Sequence, residues 1–306
     1  MTNYETPDMR GLESLARCGC ASEVDSAGSS AIVPLRAGGR KPPLFLVHGV
    51  DGTLEPFRDL VRHMEPDQPI YGVRSQALLG EATALLSVEE LAAYYIQTIQ
   101  AVYPRGPYHL LGFSFGGLVA FEMARQLHNR GELVGMLGLV DNLRMRPRTK
   151  AEGGAPIQNT SRQVRKLATG HLARFLSARG LLHVKETLVA RSLRTIYTVL
   201  RACRRPVPRF LRRAYDINWF AAVNYVPQFY PGRVTLFPAA ANNPDASNND
   251  LWARLAGGGI KSHSIPGRHE DILAEPHVIT LAKILTDCVA RETNEPNELH
   301  SRLISH

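Results

Sequence analysis

Cysteine is scarce in this sequence, with four residues among 306, at Cys18, Cys20, Cys203 and Cys288. Only the first two are close together, and no second pair stands at metal-ligand spacing, so neither a zinc site nor a disulfide framework is predicted. No apolar run approaches the roughly 18 residues that a membrane helix needs. The amino terminus also lacks the basic and apolar regions of a secretory signal. These absences argue against a membrane protein and a disulfide-rich secreted domain, and a cytoplasmic location is the expectation.

Acidic residues are nearly missing from one part of the chain. The net charge is +8, but residues 144–213 contain eighteen Lys and Arg and only two acids, Glu152 and Glu186, a balance of +16. The rest of the chain carries −8. Because that remainder is acidic and no nucleic-acid-binding motif is present, the basic segment does not predict a nucleic-acid ligand. The composition, 44% hydrophobic and 21% charged, is that of a globular enzyme with a sizeable core.

A Gly-x-Ser-x-Gly element stands at residues 112–116, with the sequence GFSFG. A short apolar run, residues 108–111, enters it, and a helical pattern over residues 118–124 leaves it. This context indicates a nucleophile elbow, a strained turn between strand and helix that presents Ser114. The flanking glycines are needed because a side chain at either place would collide with the neighbouring strand or helix. The N–H groups at the start of the helix would then point to the place where an oxyanion forms.

Strands alternate with helices over most of the chain, which predicts an α/β fold with a mainly parallel central sheet and helices on both faces. Together with the elbow, this is the pattern of the α/β-hydrolase fold. The alternation breaks after Asn142, where amphipathic helical patterns predict a lid over the carboxyl ends of the strands. The predicted organisation is a disordered leader or linker at 1–30, a core at 31–143 and 226–293, a helical lid insertion at 144–225 and a flexible tail at 294–306.

A serine hydroxyl needs a neighbouring base, and in this fold the base is a histidine late in the chain. His263, His269 and His277 are the candidates. His263 alternates inside a strand pattern and His277 opens a helix, so a structural role is expected for both. His269 directly follows the last predicted strand, in a loop from which an imidazole could reach Ser114. The sequence therefore predicts His269 as the base.

An acid must hold that imidazole in the correct tautomer. Asp141 closes a buried strand pattern after the elbow helix, at the edge of the sheet where ligands bind. Asp245 is the rival, and it follows the next strand pattern in an Asn-rich turn. An aspartate in a turn or cap is common, so each position also has a purely structural explanation. Asp141 is favoured, and Asp245 stays open.

The oxyanion hole needs two backbone N–H groups, one of them from the residue after the nucleophile. That residue is Phe115. The second group comes from the loop after the early strand, where His48, Gly49 and Val50 stand, and Val50 is predicted to supply it. His48 is interpreted as a hydrogen-bonded structural histidine. A Cys/His triad is excluded, because no cysteine stands at the elbow.

These motifs resemble the thioesterase domain family that ends non-ribosomal peptide and polyketide synthases, over about residues 31 to 290. The resemblance rests on residues 43–49 (PLFLVHG), residues 112–124 (GFSFGGLVAFEMA), Val140-Asp141 and Gly267-Arg268-His269. The second of these is much narrower than Gly-x-Ser-x-Gly alone. The resemblance implies that an acyl chain on the phosphopantetheine arm of a carrier protein is transferred to Ser114 and then released.

The resemblance also bears on the acid and on the partners. Chain-terminal members of the family typically carry the acid after the strand that follows the elbow, matching Asp141. Stand-alone editing members carry it after the later strand, matching Asp245. The implied partner is an acyl or peptidyl carrier protein, usually acidic, for which the basic lid is a candidate docking site. No cofactor, metal, nucleic acid or membrane is expected, and the oligomeric state stays open.

Several alternatives stay open from the sequence. The ester on Ser114 could be resolved by water, or by an alcohol or amine with transfer or cyclisation, and the acyl chain is not identified. No carrier-protein serine motif precedes the domain, which leaves an excised domain or an enzyme that acts in trans, including an editing thioesterase. A carboxylesterase of free small esters is a second function. A catalytically silent fold used as a binding module is a third, and the Ser114/His269 pair argues against it.

Overall fold

A computed structural model of the chain describes residues 30–79, 86–142, 192–193, 195–203, 205–242 and 246–294. Within these residues, seven strands form one sheet in the order β1-β3-β2-β4-β5-β6-β7. The strands are β1 (Ile32–Arg36), β2 (Leu44–Val47), β3 (Ile70–Val73), β4 (Tyr108–Phe113), β5 (Val134–Val140), β6 (Val234–Phe237) and β7 (Ile260–Ser262). Strand β1 pairs antiparallel with β3, and the other neighbours are parallel. The predicted mainly parallel sheet is confirmed.

The register of the central strands aligns their carboxyl ends. Val47 pairs with Gly112, Phe113 pairs with Val140, and Val140 in turn pairs with Phe237. Parallel strands in such a register deliver the residues that follow them to the same edge of the sheet. The residues that follow β2, β4 and β5 are His48, Ser114 and Asp141.

Helices cover both faces of the sheet. They are α1 (Arg58–His63), α2 (Val88–Val102), α3 (Phe115–Asn129), α4 (Ala214–Asn224), α5 (Ala246–Leu255) and α6 (His277–Asn294). Alternate residues of β2 face opposite ways, as the pleat of a strand requires. Phe45 and Val47 join a core that includes residues of α2, α3, α4 and α5, whereas Leu44 and Leu46 join a core with α1 and α6. A strand buried on both faces explains the continuous apolar run that the sequence shows there.

Helix α2 begins directly after Ser87, whose side chain caps it. The Ser87 side chain accepts a hydrogen bond from the Glu90 N–H at 3.2 Å, and the Glu90 carboxylate accepts one from the Leu86 N–H at 3.2 Å. The first contact satisfies an N–H group that the first turn of a helix leaves unpaired, and the second ties the residue before the cap to that turn. The helix buries one face that includes Tyr95 and Ile96.

The chain divides into two compact units, 1–145 with 208–306, and 146–207. In the second unit the structure describes a helical segment at 195–202, where the Cys203 N–H donates to the Val199 carbonyl at 2.9 Å. Helix α4 belongs to the first unit, although it falls within the segment predicted as a lid. Most of that segment, the leader and the tail lie outside the described residues, so their limits stay predictions. In the described residues, no helix is both long and apolar enough to span a bilayer.

We expect His109, on β4, to make the stability of this core sensitive to acid. It is fully buried, and neither ring nitrogen has a hydrogen-bond partner in the described part of the chain. Burial lowers the pKa of His109 to about 4. An unfolded histidine titrates near pH 6.5, so the unfolded chain takes up this proton first as the pH falls. Above pH 6.5 His109 does not lower the free energy of unfolding. Between pH 6.5 and about 4 the free energy of unfolding falls progressively, because the unfolded chain binds a proton that the folded chain does not.

We expect His109→Leu to remove part of this acid sensitivity. At pH 5 the proton taken up by an unfolded histidine costs about 2 kcal/mol of folding free energy. Urea unfolding at pH 7.5 and pH 5 should show a smaller difference in the free energy of unfolding for the variant than for the unaltered chain. An equal difference in both proteins would contradict the burial of a neutral ring at this position.

Candidate active site

Ser114 lies in a strained turn between β4 and α3. Its φ of 54° and ψ of −116° are rare for a residue with a side chain, and a backbone held in this way points to function. A Cβ on Gly112 would overlap the carbonyl of Gly116, and a Cβ on Gly116 would overlap the carbonyl of His48. The two glycines are therefore required by close backbone approach. The Ser114 N–H donates to the Val140 carbonyl at 2.9 Å, which ties the turn to β5.

His269 and Asp141 are joined by a hydrogen bond. His269 Nδ1 lies 2.6 Å from Asp141 Oδ2, and Asp141 Oδ1 accepts a second hydrogen bond from the Ala239 N–H at 3.0 Å. Asp141 follows β5 with a positive φ of 36°, and its N–H donates to the Phe237 carbonyl at 3.0 Å. A carboxylate only accepts, so Nδ1 carries a proton, and in the neutral imidazole Nε2 then carries none. The arrangement is that of a base held in one tautomer.

The loop that carries His269 is fixed at both ends. The Ala241 N–H donates to the Gly267 carbonyl at 3.1 Å, and the Ile272 N–H donates to the Arg268 carbonyl at 2.9 Å. The ring of Phe113 stacks on the imidazole of His269, with 5.0 Å between ring centroids and 20° between planes. Because Phe113 directly precedes Ser114, the imidazole lies beside the elbow. Half a chain separates these residues in the sequence, and the sheet brings them together.

The rival residues lie elsewhere or outside the described residues. The His263 ring stacks on Phe237 at 5.9 Å, and its Nε2 lies 4.0 Å from the Sγ of Cys288. His277 begins α6. Asp245 lies outside the described residues. Of the three candidate histidines, it is His269 that the structure joins to Asp141.

The two predicted oxyanion donors flank the elbow. Phe115 is the first residue of α3, and its ring packs 5.9 Å from the ring of His48, at the end of β2. Val50 stands two residues after His48, and its carbonyl accepts a hydrogen bond from Asn218 Nδ2 at 2.9 Å. In the described ranges neither the Phe115 N–H nor the Val50 N–H donates to another group of the protein. Both groups are therefore available to bind an oxyanion.

A buried carboxylate fastens the segment after α4 to α3. Glu122 is fully buried and accepts hydrogen bonds from Arg125 at 2.9 and 2.7 Å, from Gln126 at 2.8 Å and from the Tyr225 hydroxyl at 2.9 Å. Burial raises the pKa of Tyr225, and the Glu122 carboxylate raises it further. The tyrosine therefore keeps its proton and acts as a donor. Helix α4, which carries Asn218, is held to the core at its carboxyl end.

The sequence interpretation missed Asn218 and Tyr225. Both fall in residues 144–225, which the sequence predicts as a lid, and neither belongs to a recognisable motif. A weak signal was present, because Asn218 is polar inside the apolar segment Ile217–Ala222. The sequence predicts a hydrogen-bonded structural histidine at position 48, and in the structure the fully buried His48 ring makes two hydrogen bonds. Among the described residues, no group of three His, Cys, Asp or Glu side chains could hold a metal ion.

The fold and the elbow define the class of this protein, a serine hydrolase with the α/β-hydrolase fold. The family model identifies the protein more specifically than this class does. The model of the thioesterase domain family matches residues 42–288, and the chain belongs to this family.

Similar sequences occur within peptide synthetases. The chain is 30% identical over 260 residues to the probable non-canonical nonribosomal peptide synthetase CymA of Salinispora arenicola strain CNS-205, covering 83% of this chain and 3% of that protein. It is 45% identical over 139 residues to malpibaldin synthetase of Mortierella alpina, covering 45% of this chain and 2% of that protein. The chain thus spans a small fraction of the length of these relatives.

Two solved structures share the fold. A four-domain nonribosomal peptide synthetase, holo-AB3403 bound to AMP and glycine, matches with a TM-score of 0.59 and 25% identity, over 84% of this chain and 20% of that chain. The NocB thioesterase domain from the nocardicin cluster matches with a TM-score of 0.58 and 24% identity, over 87% of this chain and 99% of that chain. These matches confirm the α/β-hydrolase fold that the sequence predicts.

Proposed function

We propose that this thioesterase releases an acyl, peptidyl or polyketide chain from the phosphopantetheine thioester of a carrier protein, through an ester on Ser114. One observation carries the proposal, the 2.6 Å hydrogen bond between His269 Nδ1 and Asp141 Oδ2 beside the elbow. It supports a base whose Nε2 is free to take a proton from a serine. The synthetases in which similar sequences occur support the carrier-linked substrate.

In the first half of the reaction, His269 Nε2 takes the proton of Ser114 Oγ as the oxygen attacks the thioester carbonyl carbon. The carbonyl oxygen becomes an oxyanion that accepts hydrogen bonds from the N–H groups of Phe115 and Val50. The carbon–sulfur bond then breaks, and the imidazolium returns its proton to the pantetheine sulfur. Asp141 stabilises the imidazolium while it exists.

In the second half, the ester on Ser114 is resolved by a nucleophile. Water, an alcohol or an amine gives its proton to His269 Nε2 and attacks the ester carbon, and Ser114 Oγ leaves with the proton that Nε2 returns. Attack by water yields a free carboxylic acid. Attack by an alcohol or amine of the acyl chain that is bound to Ser114 yields a cyclic product. The same three side chains serve both outcomes, so the pocket decides between them.

The carrier protein is the proposed partner, and residues 144–213 are its proposed docking segment. Their charge balance of +16 favours an acidic protein and the anionic phosphate of the arm. Attraction of this kind is screened by salt, since the Debye length falls from about 10 Å at 0.1 M to about 3 Å at 1 M.

Mass spectrometry of products from a panel of acyl chains on a carrier protein tests the proposal. We expect at least one chain to be released, with a rate that falls as ionic strength rises. Linear, cyclic or dimeric products would identify the nucleophile. A rate that is insensitive to salt would contradict docking on the basic segment without affecting the chemistry.

The matched comparison is with free small esters. A carboxylesterase would hydrolyse p-nitrophenyl esters much faster than carrier-linked or cysteamine thioesters with the same acyl chain. That result would overturn the carrier-linked function and would leave the serine hydrolase chemistry in place.

A further inference from the structure

A chain of buried hydrogen bonds runs from α2 to the loop that carries Val50. His48 is fully buried at the end of β2, and its Nδ1 lies 2.6 Å from the carbonyl oxygen of Gly49. The other ring nitrogen, Nε2, lies 2.7 Å from the hydroxyl of Tyr95. Tyr95 is also fully buried, on the inner face of α2.

The direction of each hydrogen bond follows from what each group can do. A carbonyl oxygen only accepts, so His48 Nδ1 must carry a proton. Burial lowers the pKa of His48 to about 4, so the ring is neutral near pH 7 and Nε2 carries no proton. Nε2 therefore accepts a hydrogen bond from the Tyr95 hydroxyl. Burial raises the pKa of Tyr95, so this hydroxyl keeps its proton. The Tyr95 oxygen in turn accepts from the Gln76 N–H at 3.4 Å.

These contacts fix the peptide group that contains the Val50 N–H. The Gly49 carbonyl is held by His48 Nδ1 and by the Gly52 N–H at 3.1 Å. In a trans peptide the N–H points away from the carbonyl, so fixing the carbonyl of Gly49 fixes the direction of the Val50 N–H. On the other side, the Val50 carbonyl accepts from Asn218 Nδ2 at 2.9 Å. Both peptide groups beside Val50 are held by side chains.

The same peptide lies against the elbow. A Cβ added to Gly49 would sit 3.3 Å from the ring of Phe113, the residue that precedes the serine and stacks on His269. The ring of His48 packs on Phe115, the other proposed oxyanion donor. A change in the orientation of His48 would therefore shift the groups that surround the proposed oxyanion site.

We propose that Tyr95 is a positioning residue for the oxyanion hole, which acts through His48 to aim the Val50 N–H. The inference rests on the proposed function, since it takes Val50 as an oxyanion donor. Tyr95 itself does not touch the substrate. Its hydroxyl keeps the proton of His48 on Nδ1, where the Gly49 carbonyl needs it.

The alternative, that Tyr95 only fills space, predicts a different result for Tyr95→Phe. Phenylalanine keeps the ring and removes the one proton that His48 Nε2 accepts. The neutral imidazole could then place its proton on Nε2, and the lone pair of Nδ1 would face the Gly49 carbonyl and repel it. The peptide would lose its fixed orientation while the apolar packing of α2 is kept.

Steady-state kinetics with a butyryl thioester of N-acetylcysteamine separates the two roles. Removal of an oxyanion donor costs about 100- to 1,000-fold, so a loosened donor in Tyr95→Phe should lower kcat by about 10- to 100-fold. KM should change by less than about twofold, because the lost interaction acts only in the transition state. Tyr108→Phe is the matched control, since it also removes a hydroxyl from a fully buried tyrosine, at the start of β4. Equal effects of the two variants, or no effect of Tyr95→Phe, would overturn the proposal.

The tautomer of His48 gives a second readout that needs no turnover. Nitrogen-15 NMR of the unaltered protein labelled at histidine should show one ring with the proton on Nδ1 and a hydrogen-bonded, unprotonated Nε2 at pH 7.5. That signal should be absent in His48→Gln and altered in Tyr95→Phe. A proton on Nε2 of His48 in the unaltered protein would overturn the inference even if the enzyme is active. If the unaltered protein neither turned over the thioester nor reacted with a fluorophosphonate at Ser114, the proposed function would fail, whichever tautomer His48 adopts.

Discussion

Ser114→Ala is expected to lower turnover of carrier-linked thioesters by about five to six orders of magnitude, to the level left by binding and the oxyanion donors alone. The change removes only Oγ, so the strained backbone of the elbow keeps its hydrogen bonds to Val140 and Gly117. Thermal unfolding should therefore stay close to that of the unaltered chain. Single-turnover kinetics on a carrier loaded with a radioactive acyl chain measures the residual rate.

A matched control for this variant is Ser262→Ala, at the exposed end of β7. It should keep full activity. If Ser114→Ala retained more than about one hundredth of the turnover, the ester on Ser114 could not be the route to product. Release would then have to proceed by direct attack on the thioester.

Asp141→Asn is expected to lower turnover by about four orders of magnitude. In the structure both oxygens of Asp141 accept hydrogen bonds, Oδ2 from His269 and Oδ1 from the Ala239 N–H. An amide has only one oxygen, so its NH₂ group must face one of these two donors. When it faces His269, the ring is driven to the tautomer with its proton on Nε2, and the base is lost.

Asp245→Asn is the discriminating control, since Asp245 is the position that editing members of the family would use. It should leave kcat/KM within about a factor of two. The opposite pattern, with a large loss for Asp245→Asn and a small one for Asp141→Asn, would transfer the role of the acid to Asp245. The pH dependence of kcat/KM, measured on both variants, reports whether the base itself is perturbed.

The parts of the site that follow from local pattern could be predicted from the sequence. The elbow is a short strand–turn–helix unit in which the close approach of backbones requires glycine, so Gly112 and Gly116 mark it. The rule that ligands gather where parallel strands end favours Asp141 as the acid, and the register of β5 beside β4 places Asp141 at that edge of the sheet. The resemblance of these motifs to one family predicts more specifically that this hydrolase is a thioesterase.

The contacts that depend on distant segments could not be predicted in this way. Asn218 reaches the Val50 carbonyl across 168 positions, and Tyr225 reaches Glu122 across 103. Both pairings depend on where α4 docks, and the break in the strand pattern gave no information about that. In the sequence, Tyr95 is one of several residues on the buried face of α2. Only the hydrogen bond between its hydroxyl and His48 distinguishes it from the others.

Covalent labelling with a fluorophosphonate, followed by peptide mapping, tests the central claim most directly. The account predicts one added phosphonyl group on Ser114 of the unaltered chain, at a rate that falls by orders of magnitude in His269→Ala. A chain that stays unmodified, or that is modified at another residue with equal speed in both proteins, would contradict it.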